Sequence, residues 1–220
     1  MSGAAPAGRL RDEAEQWPVH EVERVWDGRA PFAVRRDTIS VPGGDEEPFA
    51  RLVIEHPGAV VVLAVDDQER ALVLRQYRHP IGERLVELPA GLLDEPGEDP
   101  VVAAARELRE EALLLAERWT HLLSTYPSPG LSSERIEIFL AEGLSEAPDR
   151  GGDFEPHHEE ADMTAHWVPV RELLAGFLDG EVVDGPLGHA VMAYEMAVQH
   201  RPGGPRERSR GTGPGVPAGQ

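Results

Sequence analysis

The chain has 220 residues, and 40% of them are hydrophobic, which is enough for the core of one domain of ordinary size. Its 40 acidic residues outnumber its 21 basic ones, all arginine, and give a formal net charge of −19. This charge repels a nucleic-acid backbone, so we expect no nucleic-acid partner. The absence of cysteine excludes disulfides and thiolate chemistry. Without a signal-like segment or an apolar run of about 20 residues, the sequence favours a cytoplasmic protein with no membrane partner.

Composition and hydrophobic patterning predict the domain organisation. Both ends are rich in Ala, Gly, Pro and charge, so we expect a mobile N-terminus over 1–16 and a disordered tail over 201–220. Between them we expect an N-terminal strand arm over 17–56 and a main domain over 57–200.

The predicted elements form a layered α/β domain of mixed α+β character. Apolar patterning predicts strands at 19–26, 32–41, 49–56, 59–67, 71–77, 121–126, 135–143 and 163–170. The run 59–67 is almost wholly apolar and indicates a strand buried on both faces. One helix is predicted around residue 106, and two more over 170–178 and 187–200. The acidic stretch 149–162 reads as a long loop, a type of segment that often carries function.

Residues 106–111, Arg-Glu-Leu-Arg-Glu-Glu, place three carboxylates on one helical face. Glu107 and Glu111 are four residues apart, and Glu110 is three residues from Glu107. Like charges at this spacing destabilise a bare helix. A hard divalent cation, which prefers oxygen ligands, removes that repulsion. The segment therefore predicts a metal site beside a phosphate-bearing substrate. The same carboxylate motif without the neighbouring residues would indicate only a solvent-exposed helix face.

Together with Gly91 and Glu98, this helix resembles the Nudix box: Gly, five residues, Glu, seven residues, Arg-Glu-apolar-any-Glu-Glu-any-Gly-apolar. The spacing from Glu98 to Arg106 matches. Six residues instead of five separate Gly91 from Glu98, and Pro96-Gly97 is the expected place of a one-residue turn insertion. Leu113 stands where the box has the glycine that ends the helix in a left-handed conformation. We therefore expect either a strained helix end or a helix that continues.

Further segments are similar to the ADP-ribose pyrophosphatases of this superfamily over most of residues 20–198. They read RQYRHPIGERLVELPAGLLD, YPSPGLSSERIEIFLAEGL and HHEEADMTAHWVPV. The resemblance implies an α/β/α sandwich around a mixed sheet, with an N-terminal arm exchanged between the subunits of a homodimer. It also implies hydrolysis of ADP-ribose to AMP and ribose 5-phosphate. Mg²⁺ ions would bridge the diphosphate and activate a water; the sequence does not distinguish Mg²⁺ from Mn²⁺.

The resemblance also assigns roles to residues of the box. Arg106 would act in catalysis by orienting the box carboxylates through charge-assisted hydrogen bonds, with Glu98 in support. The implied metal ligands are Glu107, Glu110, Glu111 and the main-chain carbonyl of Ala90.

A general base is implied on the acidic loop. The matching residue is Glu160, which would act with Glu107 and Glu111 in catalysis, and Glu159 is its rival. We expect His157 and His158 to be solvent-exposed, because a hard metal prefers oxygen ligands.

Several residues are candidates for contacting the substrate, and arginine suits phosphate because it donates two parallel hydrogen bonds. The candidates are Arg78, Arg84, Glu87, Ser132 and Glu134. For Arg84 and the neighbouring Arg75, ordinary ion pairing is equally compatible with the sequence. Trp26 and Phe32 of the arm either stack on adenine or pack in a core or dimer interface.

Two alternatives to ADP-ribose hydrolysis stay open. The same fold can act on another nucleoside diphosphate derivative, such as NADH, a sugar nucleotide or a dinucleotide. A non-catalytic module that senses a nucleotide is disfavoured, because such modules usually lack the box carboxylates.

Overall fold

The computed structural model describes residues 11–28, 31–151 and 162–199. The chain divides into two units, Met1–His56 with Ser128–Ser133, and Pro57–Pro127 with Glu134–Gln220. The first ten residues, the predicted tail 201–220 and most of the acidic stretch lie outside the described residues. No helix among the described residues has both the length and the apolar character needed to cross a membrane.

The first unit contains a three-stranded antiparallel sheet. Its strands, in the order β1-β2-β3, are β1 (Val19–Trp26), β2 (Ala33–Ile39) and β3 (Phe49–Glu55). Strand β1 lies at the edge, and all eight of its residues are exposed. In β2, Arg35 donates to the buried carboxylate of Asp37 and pairs with Glu55 of β3. Residues 128–133 belong to this unit because Ile54 donates to the Leu131 carbonyl at 2.9 Å.

The second unit contains two sheets. The central one is mixed, because β4 and β9 are parallel and the other neighbours are antiparallel. Its order is β7-β4-β9-β8, with β4 (Ala59–Ala64), β7 (Ala90–Leu92), β8 (Leu114–Thr125) and β9 (Ile136–Glu146). The other is antiparallel in the order β10-β5-β6, with β5 (Arg70–Arg78), β6 (Glu83–Glu87) and β10 (Thr164–Pro169).

Helices cover both faces of the central sheet. They are α1 (Pro100–Ala112), α2 (Val170–Leu178) and α3 (Gly185–Gln199). Alternate residues of β4 point to opposite faces. Val60 and Val62 pack with Leu108 of α1, whereas Val61 and Leu63 pack with residues of α2 and α3. All six residues of β4 are buried, as its apolar run predicted, and each fully buried Val or Leu side chain contributes about 1.5–3 kcal/mol. The α/β/α sandwich around a mixed sheet is confirmed.

After α1 the structure shows the strained helix end, one of the two outcomes expected at Leu113, but the next strand starts earlier than predicted. The helix does not continue: it ends at Ala112, and β8 starts at Leu114, seven residues before the predicted strand 121–126. Leu114 and Leu115 have the apolar character of a continuing helix, so composition alone did not mark the boundary. The short strands β6 and β7, separated by Leu88 and Pro89, were not predicted either. The predicted helices 170–178 and 187–200 correspond to α2 and α3.

Candidate active site

Local signals fix the start of α1. Asp99 accepts a hydrogen bond from the Val101 N–H at 3.0 Å, and Pro100 occupies the first turn, where no donor is needed. Before this cap, Glu98 N–H donates to the Glu95 carbonyl at 3.2 Å, and Gly97 has a φ of 83°. Glycine adopts this left-handed conformation without steric cost. A tight turn therefore lies where the extra residue was expected.

The end of α1 is fixed by an unusual leucine. Leu113 has φ 55° and ψ 38°, the left-handed conformation that the box glycine normally takes. Its N–H donates to the Arg109 carbonyl at 3.0 Å, and its carbonyl accepts from Ala147 N–H at 2.8 Å. The helix therefore keeps the glycine-type ending at the steric cost of a side chain.

Arg106 holds three carboxylates of the site at once. It donates to Glu98 at 3.4 and 3.2 Å, to Glu107 at 2.6 Å and to Glu110 at 3.3 Å. Burial lowers the pKa of Arg106, but the hydrogen bonds and charges of Glu98 and Glu107 outweigh it and raise that pKa above its ordinary value. Arg106 therefore offsets the repulsion that the sequence predicted on this face.

Glu107 is the most buried carboxylate of the helix face, with 9% of its surface exposed. Burial raises its pKa to about 7; the Arg106 charge opposes this shift, and Glu110 adds to it. The side chain lies directly over Gly91 of β7, where an added Cβ atom would be 1.9 Å from the Glu107 Cδ. Only glycine leaves room for this carboxylate, which accounts for the glycine at the start of the box. The poorly solvated charge also favours a further cation beside it.

Glu111 is tied to the same strand. Its Oε2 accepts a hydrogen bond from the Ala90 N–H at 2.9 Å. The structure thus brings Ala90 and the carboxylates of Glu107, Glu110 and Glu111 together where α1 meets β7. Among the described residues, no three acidic or histidine side chains are already arranged around one metal position. The donor set is nevertheless all oxygen, and it fits a hard divalent cation such as Mg²⁺.

Two predicted substrate residues pair with each other. Arg78 at the end of β5 donates to both carboxylate oxygens of Glu87 on β6, at 2.8 and 2.5 Å. Glu87 is 6% exposed, and its hydrogen bond to Arg78 raises the Arg78 pKa despite burial. Asp184, which sequence reasoning missed, lies within electrostatic range of both, and burial raises its pKa to about 6. The sequence signal for Asp184 was its position as a helix cap. It lies three residues before Leu187 and accepts a hydrogen bond from the Leu187 N–H at 2.8 Å.

The remaining candidates are dispersed. Arg84 forms an ion pair with Asp162 and donates to the Arg75 carbonyl at 3.4 Å, so the structure shows the ion-pairing alternative for Arg84. Ser132 lies in the first unit, bridged to Ile54, whereas Glu134 lies in the second.

The structure tests neither the implied base nor adenine stacking. Glu160, its rival Glu159 and both loop histidines are outside the described residues. In the first unit, Trp26 and Phe32 contact each other with ring centroids 5.4 Å apart, and they remain 43% and 40% exposed.

Comparison with known proteins confirms the resemblance. Residues 55–186, more than half of the chain, match the NUDIX domain family model, and the chain belongs to this family. It is similar to an ADP-ribose pyrophosphatase of Mycobacterium tuberculosis, with 48% identity over 155 residues, 70% of this chain and 72% of that protein. An ADP-ribose pyrophosphatase of Bacillus subtilis is 39% identical over 174 residues, 79% of this chain and 90% of that protein.

A solved structure shares the fold. The crystal structure of an ADP compounds hydrolase matches with a TM-score of 0.68 at 21% identity, and the match covers 86% of this chain and 97% of that one.

Proposed function

We propose that this Nudix hydrolase is an ADP-ribose pyrophosphatase that requires Mg²⁺ and cleaves the diphosphate to give AMP and ribose 5-phosphate. The observation that carries the proposal is the meeting of Glu107 and Glu111 of α1 with Gly91 and Ala90 of β7. The relatives named above support the choice of ADP-ribose, because both carry that activity in their names and one is 48% identical to this chain.

The metal is proposed to bind Glu107, Glu110, Glu111 and the Ala90 carbonyl. When bound, Mg²⁺ supplies positive charge for the diphosphate and lowers the pKa of a water. Arg106 keeps the carboxylates on one face by its hydrogen bonds. With a net charge of −19, the chain repels an anionic substrate unless such local cations reverse the field.

The remaining chemistry is assigned to residues around the helix. Glu160 is proposed to take the proton of the attacking water on a carboxylate oxygen, with Glu159 as the alternative. Arg78, held by both oxygens of Glu87, is proposed to bind a phosphate oxygen. Ser132 and Glu134 are proposed to contact the substrate as well.

The test measures AMP release from ADP-ribose with Mg²⁺, beside NADH, GDP-mannose and diadenosine polyphosphates. ADP-ribose should have the highest kcat/KM. Glu107→Gln and Glu111→Gln should each lower it at least about 100-fold, because each removes a metal ligand. Glu117→Gln is the control, since that side chain is 78% exposed on β8. Unchanged turnover in both ligand variants would refute the metal assignment, and a higher kcat/KM for another compound would replace ADP-ribose as substrate.

The assignment of the base has a separate test. Glu160→Gln should lower kcat while leaving the affinity for substrate nearly unchanged, since the residue acts on the water and not on the ground-state ligand. Glu159→Gln is the matched neighbour. A large loss of kcat in the Glu159 variant alone would transfer the role to that residue. A wild-type protein that binds ADP-ribose in calorimetry but never releases AMP would instead be a nucleotide-sensing module.

The arm over residues 17–56 is proposed to form a homodimer. Its edge strand β1 carries apolar side chains that are more than half exposed in the single chain, namely Val19 at 54%, Val22 at 58% and Val25 at 54%. Val22→Glu should shift the sedimentation mass from dimer to monomer, because a charge is costly at a buried interface. Leu178→Glu on α2 is the control, being 68% exposed in the second unit. A monomeric wild-type protein would end this proposal.

A further inference from the structure

The C-terminal end of α1 is held by an arginine that lies 39 residues after Glu111 in the sequence. Arg150 follows β9, and its Nη1 donates to the carbonyls of Glu110 and Glu111, at 3.2 Å for Glu111. Both glutamates are proposed metal ligands. We propose that Arg150 is a positioning residue that keeps their carboxylates in place for the metal; the inference rests on the proposed function.

The same two carbonyls would have other partners if the helix continued. Each carbonyl of an α-helix accepts from the N–H four residues later, so Glu110 and Glu111 would accept from Leu114 and Leu115. Leucine is a good helix former, and both residues suit such a continuation. In the structure, however, Leu114 and Leu115 pair with β9 as the start of β8. Arg150 therefore occupies the acceptors that a longer helix would use.

The residue at the helix end makes this donor more important. Leu113 takes the left-handed conformation, which costs a residue with a Cβ atom roughly 1–2 kcal/mol. Its N–H binds the Arg109 carbonyl at 3.0 Å, but the next carbonyls need donors from outside the helix. A guanidinium suits them, because the last carbonyls of a helix carry partial negative charge. The strain at Leu113 opposes the observed helix end, and the hydrogen bonds of Arg150 stabilise it.

Arg150 is itself fixed by its neighbours in the chain. Arg109 of α1 donates through Nε to the Asp149 carbonyl at 3.2 Å and forms an ion pair with the Asp149 carboxylate. Asp149 also accepts from the Gly151 N–H at 2.9 Å. An added Cβ atom at Gly151 would lie 3.2 Å from the guanidinium carbon of Arg109, so glycine leaves room for this contact. The planar guanidinium of Arg150 therefore reaches the two carbonyls from a backbone that is attached to the helix.

The turn that Arg150 holds is also restrained through its carboxylates. Glu111 accepts from the Ala90 N–H at 2.9 Å, and Glu110 accepts from Arg106 at 3.3 Å. Groups that orient metal ligands typically change metal affinity 10- to 100-fold. The charge of Arg150 has the opposite effect, because a cation near the site repels the metal. Positioning and charge therefore predict opposite changes in metal affinity when Arg150 is replaced.

The first test measures the Mn²⁺ affinity of the full-length protein by titration calorimetry without substrate. Arg150→Met keeps an unbranched stem but removes the donors and the charge, and it should weaken Mn²⁺ binding about 10-fold. Arg150→Lys should weaken it less, because an ammonium group keeps a donor but cannot reproduce the planar fork. Arg118→Met changes an exposed arginine of β8, and this control should leave the affinity unchanged. Unchanged or tighter binding in Arg150→Met would overturn the proposal.

The second test uses the helix end itself. Adding Leu113→Gly to Arg150→Met should restore part of the Mn²⁺ affinity, because glycine takes the left-handed conformation without steric cost and favours the same helix end. Adding Leu113→Ala is the matched control and should restore none, because alanine favours a continuing helix. Recovery with both additions, or with neither, would contradict the route through the helix end.

The ligand variants separate this inference from the proposed function. If Glu111→Gln weakens Mn²⁺ binding and Arg150→Met does not, the positioning role alone fails. If neither Glu107→Gln nor Glu111→Gln weakens it, the proposed metal site fails, and the role of Arg150 fails with it. If all these affinities change as expected but the wild-type protein releases no AMP from ADP-ribose, the proposed activity fails and the positioning role is supported.

Discussion

Replacing Leu113 by glycine should stabilise the protein, although it removes a large apolar side chain. Leu113 is in the left-handed conformation, with φ 55°, and this costs a residue with a Cβ atom roughly 1–2 kcal/mol. Its side chain is only half-buried and lies outside both core clusters. Glycine removes this steric cost. It also lowers the free energy of unfolding by about 0.4–1 kcal/mol, because it gives the unfolded chain more conformational freedom. With both ranges taken at their midpoints, the net gain should be about 0.8 kcal/mol.

Urea unfolding followed by circular dichroism measures this difference. For a chain of this length, the gain corresponds to a rise in Tm of roughly 1–4 °C. Leu113→Asn should stabilise the protein nearly as much as Leu113→Gly, because asparagine tolerates the left-handed region. Leu113→Val should destabilise it, because a β-branched residue tolerates that region poorly. Leu115→Gly is the control in a strand, where glycine should destabilise. If Leu113→Gly lowers stability as much as Leu115→Gly, the left-handed leucine is not strained.

Three further predictions concern single groups. Burial raises the pKa of Asp184 from 3.8 to about 6, so the folded state binds a proton in this window that the unfolded state has released. Stability should therefore fall by at most about 3 kcal/mol as pH rises from 4 to 6, and Asp184→Asn should flatten the fall in unfolding titrations. Asp66→Ala should cost about 1–3 kcal/mol at pH 7, because its charged carboxylate accepts hydrogen bonds from the Gln68 N–H and from the Arg70 N–H and guanidinium. Since hydrogen bonds outweigh burial and lower the Asp66 pKa, this loss should shrink when the pH falls below 3.8. Gly91→Ala should abolish most of the turnover and weaken Mn²⁺ binding in titration calorimetry, because its Cβ would displace Glu107. Gly185→Ala, with nothing near the added Cβ, should leave both unchanged.

Features that depend on local spacing were predictable from the sequence. The carboxylate face of α1 follows from helical periodicity alone, and the buried strand at residues 59–64 follows from a continuous apolar run. The place of the extra residue before Glu98 followed from the Pro96-Gly97 pair, because glycine readily supplies the positive φ of a tight turn.

Features set by distant contacts were not predictable. At the end of α1 the sequence left two outcomes open for Leu113, and the choice between them depends on this leucine taking the left-handed conformation, with its carbonyl bound by the distant Ala147 N–H. The pairing of Arg78 with Glu87 depends on the β5–β6 register, which a pattern of separate strands does not specify. The hydrogen bond from Arg84 to the Asp162 carbonyl spans 78 residues, and the one from Arg150 to the Glu110 carbonyl spans 40. No short motif encodes either contact.

The alternation along β4 has a consequence for how this family can diverge. Val60 and Val62 contribute to one apolar cluster and Val61 and Leu63 to another, and the sheet separates the two. Changes that repack the α1 side should therefore combine nearly additively with changes on the α2–α3 side, because their buried side chains belong to separate clusters. The helix that presents the carboxylates can be retuned by mutation, for a different ligand or metal, while the opposite layer keeps its inherited packing.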